Sequence, residues 1–395
     1  MNLLQLNVTA NWGSTGKIAE GIGQSAISQG WESVIAYGRY FNPSQSKLIK
    51  VGNQSVVRAH YAKARFLDSE GLGSKNATRR LIKWIDEYKP DIIHLHNIHD
   101  HWLNYPLLFQ YFATINTPIV WTFHDCWAFT GGCAYFDIPN CEKWKYECHN
   151  CILRKGLCAD RSKHNFNLKK NLISKFADRL TIVPVSNWIN DLSRESFLKN
   201  VHTQIIHNGI DVTKFKPCSA KSDKPLILGV ALPWSERKGL NEMIKLRDHL
   251  PVDKYDMALI GLSQKQIDML PESIKGIERT QDIYELANWY SKAWAFVNTT
   301  LSDNFPTVNL EALACGTPVI TYQTGGSAEA IDDETGFSVK KGDVKALADK
   351  IIEICNNPGK YTQEQCHKRA DAYFNQNTQF HKYIELYENI LNQTT

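Results

Sequence analysis

Two carboxylates eight positions apart, Asp303 and Glu311, flank a segment whose residue types describe a ligand site. Ala295-Phe296-Val297-Asn298 reads as a short apolar strand. Pro306 suits a first helical residue, because its fixed φ and missing amide proton are tolerated there. The spacing predicts a helix from Thr307 to Cys315, ended by Gly316 in a left-handed cap and barred from continuing by Pro318. Val319–Tyr322 is then the next parallel strand and Gly325-Gly326 a turn. Free amides at such a helix start attract phosphate or sugar oxygens, and the two acids can accept hydrogen bonds from sugar or ribose hydroxyls. In isolation the same acids would read as a surface Asp and a solvated helical Glu. Their surroundings decide between the two.

A second group with chemical potential is Cys133-x7-Cys141-x6-Cys148-x2-Cys151, four thiols of the ten in the chain. The Cys-x2-Cys step lets two sulfurs reach one tetrahedral zinc, which would fix a loop of little apolar content. Disulfides are not expected in a reducing compartment, and free buried thiols are the competing reading. Cys126 and Cys158 read as ordinary. No open set of His and carboxylate accompanies the cysteines, so no catalytic metal is expected.

These groups need elements to position them. Strands are expected at Leu3–Val8, Ser33–Tyr37, Asp91–His96, Ile119–His124 and Leu180–Val185, apolar almost throughout as in parallel strands buried on both faces. Their carboxyl ends bear His94, His96, His124, Asp125 and Ser186, and ligands of open α/β sheets collect at such ends. The loop Asn11–Lys17 after the first strand contains Gly13, Ser14 and Gly16 and leads into an apolar helix from Ile18. It lacks the spacing of a P-loop or dinucleotide fingerprint. After the Asn208-Gly209 turn and a polar stretch, Lys216–Lys224, that reads as a linker, a second series begins at Pro225–Val230 and continues into Trp234-Ser235-Glu236-Arg237-Lys238-Gly239. A length of 395 residues with 43% hydrophobic and 22% charged residues suits two or three soluble domains.

No run approaches the roughly 18 apolar residues that span a bilayer, and the start lacks a basic signal region, so a cytoplasmic protein is expected. The net charge of +4 is modest, but the basic residues cluster in the N-terminal half. One cluster is Arg58, Lys63, Arg65, Lys75, Arg79, Arg80 and Lys83. Another runs Lys143, Lys145, Arg154, Lys155, Arg161, Lys163, Lys169, Lys170 and Lys175, interleaved with Trp144, Tyr146 and Phe166. They read either as solvated helix faces or as a peripheral contact with anionic lipid. Nucleic acid fits poorly, since the basic excess is small and no binding module is present.

The segment D-x7-E followed by A-L-A-C-G-T-P-V-I and T-G-G-S-A-E resembles the E-x7-E signature of the retaining family 4 glycosyltransferases, with Asp303 in place of the usual first Glu. The resemblance implies the GT-B fold, two doubly wound Rossmann-like α/β domains facing across a cleft. The expected bounds are 1–206 for an acceptor-side domain with a Cys-rich insertion at 126–158, 207–375 for a nucleotide-sugar domain, and 376–395 for a helix crossing back. It gives Lys238 the diphosphate, with Arg237 substituting for an arginine that usually follows the glycine at Gly229. Asp303 and amides near Phe305, Pro306, Thr307 and Val308 then orient the donor sugar. Glu311 holds the ribose, His124 borders the sugar, and Gly13, Ser14 and Gly16 face the acceptor or diphosphate. The His124–Cys151 region resembles an insertion in bacterial polysaccharide glycosyltransferases of capsule, exopolysaccharide and colanic-acid type, with Cys133, Cys141, Cys148 and Cys151 as structural zinc ligands. The implied reaction moves a sugar from a nucleotide diphosphate-sugar to a glycan or lipid-linked oligosaccharide, with no catalytic metal and at the inner face of the membrane. The alternatives are a nucleotide-sugar epimerase or hydrolase of the same architecture, or a non-enzymatic interaction module.

Overall fold

The computed structural model describes residues 1–153 and 156–394; Arg154 and Lys155 of the second basic cluster lie outside the described residues. The chain forms two compact units, one of residues Met1–His207 with the C-terminal residues from Gln379 on, the other of Asn208–Thr378.

The first unit is built on a seven-stranded sheet of β1 (Asn2–Asn7), β2 (Glu32–Tyr37), β3 (Lys47–Lys50), β4 (Ile92–Leu95), β5 (Ile119–Phe123), β6 (Leu180–Pro184) and β7 (His202–Thr203). All neighbours are parallel, in the order β3-β2-β1-β4-β5-β6-β7. Runs such as Ile92-Ile93 and Ile119-Val120 are fully buried because helices cover both faces, so no polar alternation appears. The order reverses between β1 and β4, which opens a crevice at their carboxyl ends. The helix Gly13–Ser28 follows β1 and starts five residues earlier than the apolar spacing alone suggested, because the polar turn Gly13–Lys17 is already helical.

The last helix, Gln376–Thr394, completes this unit's core. Phe380, Tyr383, Ile384 and Tyr387 pack with Leu3, Ile18, Ile22, Ile92, Val120 and Val183. A Cβ on Gly21 would lie 2.1 Å from the Phe380 ring, so only glycine admits that side chain. The helix is also pinned by polar contacts. Tyr387 hydroxyl meets His94 Nδ1 at 2.7 Å, and Tyr383 hydroxyl meets Thr122 Oγ1 at 3.1 Å, itself 2.7 Å from His94 Nε2.

The second unit has six parallel strands, β8 (Leu226–Val230), β9 (Asp256–Ile260), β10 (Lys275–Ile277), β11 (Ala295–Asn298), β12 (Val319–Tyr322) and β13 (Gly336–Val339), in the order β10-β9-β8-β11-β12-β13. Its reversal falls between β8 and β11, the two strands whose following loops hold Lys238 and Asp303. The polar stretch Lys216–Lys224 is less free than a linker. Lys221 donates to the carbonyls of Ala293 and Gly316 and to Thr317 Oγ1, at 2.6 to 2.9 Å, and so stitches this stretch to the end of the helix Thr307–Ala314. That helix is one residue shorter than expected. Pro306 stands outside it as the N-cap, with ψ of 120°, because the preceding loop must stay extended to bring Asp303 beside the sheet.

Candidate functional site

In the second unit three loops meet at the reversal point. The turn at Arg237–Gly239 lies against the loop after β11: Leu301 amide donates to Arg237 carbonyl at 2.8 Å, and Arg237 Nη1 donates to Ser302 carbonyl at 2.6 Å. Gly239 makes this approach possible. It has φ of +75°, and a Cβ there would stand 2.0 Å from Thr299 carbonyl oxygen. From the other side Gly325, φ +53°, leaves no room for a Cβ, which would lie 1.6 Å from Asp303 carbonyl oxygen; Gly326 amide donates to Asn304 carbonyl at 2.8 Å.

The result is a charge cluster. Lys238 Nζ donates to Asp303 Oδ2 at 2.5 Å, and Arg237 Nη1 lies 3.7 Å from the same oxygen. The side chains are 21%, 13% and 28% exposed for Lys238, Asp303 and Arg237, so the pair is mostly withdrawn from water yet reachable. Two cations therefore lie against one carboxylate at the mouth of this site, an arrangement that suits a diphosphate. Next to it the helix Thr307–Ala314 begins without a side-chain cap, since Pro306 offers none. Thr307 and Val308 are half-buried there, while the ring of Phe305 is buried against Phe374, 5.7 Å between centroids. Glu311 accepts a hydrogen bond from Tyr290 hydroxyl at 2.9 Å. Burial and this carboxylate push the Tyr290 phenol well up, so it stays a donor.

A polar string that the residue pattern did not single out fixes these loops. Asn298 Nδ2 donates to Asn309 Oδ1 at 2.8 Å, Asn309 Nδ2 donates to Ser327 carbonyl at 3.0 Å, and Ser327 Oγ meets Thr321 Oγ1 at 2.6 Å. All four residues are buried. The available signal was their polarity inside otherwise apolar strands and a buried helix, where each must find a partner.

In the first unit Gly13, φ +66°, and Ser14 are exposed at the start of the helix after β1. Gly16 is different: it is buried, and a Cβ would lie 2.8 Å from Thr9 Oγ1, so it serves the packing of the loop. His124 directly follows β5 and is half-buried, its Nε2 3.1 Å from His96 Nδ1, while His96 Nε2 lies 3.0 Å from Gln5 Oε1. His94 and His96 are wholly buried and held neutral by that burial, and desolvation brings His124 down to about 4. Asp125 turns away, accepting from Trp127 amide at 2.8 Å and meeting His99 Nε2 at 2.9 Å. Ser186 caps the helix Asn187–Glu195. Of the strand-end polar groups, His94, His96 and Ser186 are therefore structural.

Cys133, Cys141, Cys148 and Cys151 line one cavity of about 260 Å3. They are not drawn to ligand spacing: among the described residues the group of His, Cys, Asp and Glu whose ligand atoms all lie within 4.8 Å is Glu70, Asp100 and His101. Gly131 amide donates to Cys148 Sγ at 3.1 Å. The basic cluster around this loop is not one charged face. Lys169 is buried, donates to Trp127 carbonyl, lies 3.9 Å from the Trp127 ring centroid and is brought down to about 7 by desolvation. Trp144 and Phe166 are also in the core, and only Tyr146 of the three interleaved aromatics is exposed. No helix among the described residues is long and apolar enough to cross a membrane.

Comparison with known proteins adds to this geometry. Residues 19–214 match the family described as Glycosyltransferase Family 4, and residues 211–373 match Glycosyl transferases group 1. A protein of Escherichia coli strain K12 assigned to colanic acid biosynthesis as the glycosyl transferase WcaC is 25% identical over 99% of this chain and 100% of its own length. The capsular polysaccharide biosynthesis glycosyltransferase CapM of Staphylococcus aureus is 26% identical over 38% of this chain and 44% of its own. Among solved structures, sucrose-phosphate synthase from Thermosynechococcus elongatus superposes with a TM-score of 0.75 at 18% identity, covering 99% of both chains. Anabaena HepE in complex with UDP-glucose gives 0.64 at 16% identity, covering 98% of this chain and 100% of that one.

The buried histidines make the stability of the first unit pH-dependent. His124 and His60 are both lowered to about 4 by burial, against about 6.5 in an unfolded chain. Between those values the unfolded state binds the protons, so stability falls as pH drops from 6.5 toward 4, by at most about 1.4 kcal/mol per pH unit per histidine. Thermal unfolding should be flat from pH 8 to 7 and decline below 6.5, with a shallower decline in His124→Gln. An equal slope in that variant would remove His124 from the account.

Proposed function

We propose, on the premise that the chain belongs to the family 4 glycosyltransferases, that it transfers a glycosyl group from a nucleotide diphosphate-sugar to a glycan or lipid-linked oligosaccharide, with retention of configuration. Relatives named for colanic acid and capsular polysaccharide biosynthesis favour a bacterial surface polysaccharide as the product. The observation that supports this reading most is the Lys238–Asp303 pair, set by the two loops that flank the reversal of the second sheet.

In this reading no side chain attacks the sugar. As the bond to the leaving diphosphate stretches, negative charge grows on the phosphate oxygens, and Lys238 with Arg237 is already in place to stabilise it. Asp303 keeps the lysine ammonium in the crevice and offers its carboxylate to donor hydroxyls. The amides from Phe305 to Val308, apart from Pro306, which has none, orient the donor sugar. Glu311, its geometry set by Tyr290, takes the ribose hydroxyls. His124 keeps the role that the resemblance gives it beside the donor sugar, and Gly13 and Ser14 belong to the acceptor or diphosphate side. Gly16 is left out of ligand contact because it is occupied with Thr9. A phosphate oxygen of the leaving group can take the acceptor proton, so the step balances without a protein base.

The cysteine loop suits a structural zinc. All four thiols line one cavity, and the Gly131 amide bond to Cys148 Sγ is the kind of contact that stabilises a thiolate ligand. Bound there, zinc would join loop segments around Cys133, Cys141 and the Cys148–Cys151 step, and it would take no part in transfer. The helix Gln54–Leu67 suits an anionic membrane surface: Tyr61, Phe66 and Leu67 are exposed beside Arg58, Lys63 and Arg65, and exposed Leu157 adjoins them through its amide bond to Arg65 carbonyl at 2.8 Å.

Three measurements test these assignments. Lys238→Ala should lower kcat by about 10²–10³ with an unchanged unfolding temperature; near-normal turnover with the donor identified by thermal shift, UDP-sugars being tried first, would refute the charge-stabilising role. Elemental analysis should find about one zinc per chain, lost together with thermal stability in Cys148→Ser and Cys151→Ser, and fully reduced protein without zinc would exclude the metal. Co-sedimentation should be stronger with anionic than with neutral vesicles and weakened by Phe66→Ser with Lys63→Gln. Equal recovery with both vesicle types counts against the membrane surface.

A further inference from the structure

A second cavity, of about 380 Å3, lies in the first unit at the carboxyl ends of β2 and β3. Arg39, Tyr40, Lys50, Arg58, Tyr61 and His101 line it. It adjoins the loop after β1: Ala10 amide donates to Tyr40 carbonyl at 3.0 Å, and the rings of Trp12 and Tyr40 are 5.8 Å apart.

Its cations are unevenly compensated. Arg39 is held by Asp100 at 2.6 Å. The side chains of Lys50 and Arg58 have no hydrogen bond or ion pair among the described residues, so two of the cations that line the cavity are left over. One segment beside the cavity is held in a costly backbone conformation. Asp100 and His101 have φ of +77° and +72°, two successive left-handed residues that are not glycine, a conformation that stores strain. The strain fixes His101 with its ring 5.2 Å from Tyr61 and 5.4 Å from His60, and it fixes Asp100 as the anchor of Arg39. Gly38, also in the lining, leaves no room for a side chain, since a Cβ would lie 2.3 Å from Trp102 Cβ.

We propose that this cavity binds a phosphate or diphosphate group on the acceptor, read by Arg39, Lys50 and Arg58, while Tyr40 and Tyr61 offer flat faces to an adjoining sugar ring. Two uncompensated cations match a dianion better than the single charge of a uronic acid, and a guanidinium with an ammonium is the usual donor set for phosphoryl oxygens. The same chemistry is offered by the diphosphate of a lipid-linked sugar and by a soluble sugar phosphate. The inference rests on the glycosyl-transfer reading only in calling the ligand an acceptor.

The test is calorimetric titration of the full chain, at low salt, with geranyl diphosphate, glucose 1-phosphate and glucuronate, on the parent, on Lys50→Gln with Arg58→Gln, and on Lys238→Ala. Both cations are exposed, so the double variant should unfold at the parent's temperature. The expected result is a loss of at least tenfold in affinity for a phosphate probe in the double variant and its retention in Lys238→Ala. Dependence seen with geranyl diphosphate alone assigns the lipid-linked source, and with glucose 1-phosphate alone the soluble one; either supports the site. The proposal is overturned if neither phosphate probe binds, if only Lys238→Ala loses binding, or if glucuronate binds as tightly with the same dependence. Because no turnover is measured, failure here leaves the transfer reading standing, and failure of Lys238→Ala to slow transfer leaves this site standing.

Discussion

The second unit depends on backbone meeting backbone at the reversal of its sheet. Gly239 against Thr299 and Gly325 against Asp303 are contacts that no side chain allows, and they force the loop after β11 between two others. A loop held on both sides has little freedom to relax, so Asp303 meets Lys238 at a set place instead of sampling solvent. The polar string Asn298–Asn309–Ser327–Thr321 reinforces the same loop from beneath, where an unpaired amide or hydroxyl would be costly. Precision at the charge cluster is thus a property of two glycines and four buried polar residues more than of the charged residues themselves.

The first unit uses a different constraint. His94 and His96 are buried, neutral and fully engaged, and they couple β4 to Gln5 on β1, to Thr122 on β5 and to the final helix through Tyr387. The last residues of the chain are therefore bonded to the middle of the sheet whose first strand begins the chain. His124 stands at the outer end of this chain of imidazoles, with one ring nitrogen committed to His96. What a ligand can meet is the other nitrogen, and burial keeps that imidazole neutral at neutral pH.

Much of this was legible in the residues. Parallel strands buried on both faces announce themselves as continuous apolar runs, and the strand ends fell within a residue or so of the expected places. The D-x7-E segment and the Gly-rich turns were visible as types and spacings, and Lys238 through the family resemblance. Less legible was whatever depends on partners far apart in sequence. His94 and His96 share the pattern of His124, and only the contact with Tyr387, 293 residues away, shows His94 to be structural. Lys169 sits in a basic run and is buried all the same, because its Nζ lies over the Trp127 ring and donates to the Trp127 carbonyl. The cationic cavity was hidden for a similar reason: Arg39, Lys50, Arg58 and His101 come from four separate segments, and the strain at Asp100-His101 leaves no mark on residue type.

The short acid at position 303 follows from the same geometry. The family pattern has Glu there, one methylene longer, whereas the carbonyl of Asp303 is already pressed against Gly325 and its side chain meets Lys238 at 2.5 Å. With the backbone fixed that closely, a longer acid would carry its carboxylate past the ammonium or force the side chain off its preferred rotamer. The aspartate keeps cation and anion in contact with the protein's own backbone as the ruler. Arg237, 3.7 Å from the same oxygen and tied to Ser302 carbonyl, fills the neighbouring direction. In the proposed reading a diphosphate meets a cation pair whose positions are already set, so the interaction energy is not spent on ordering two long side chains.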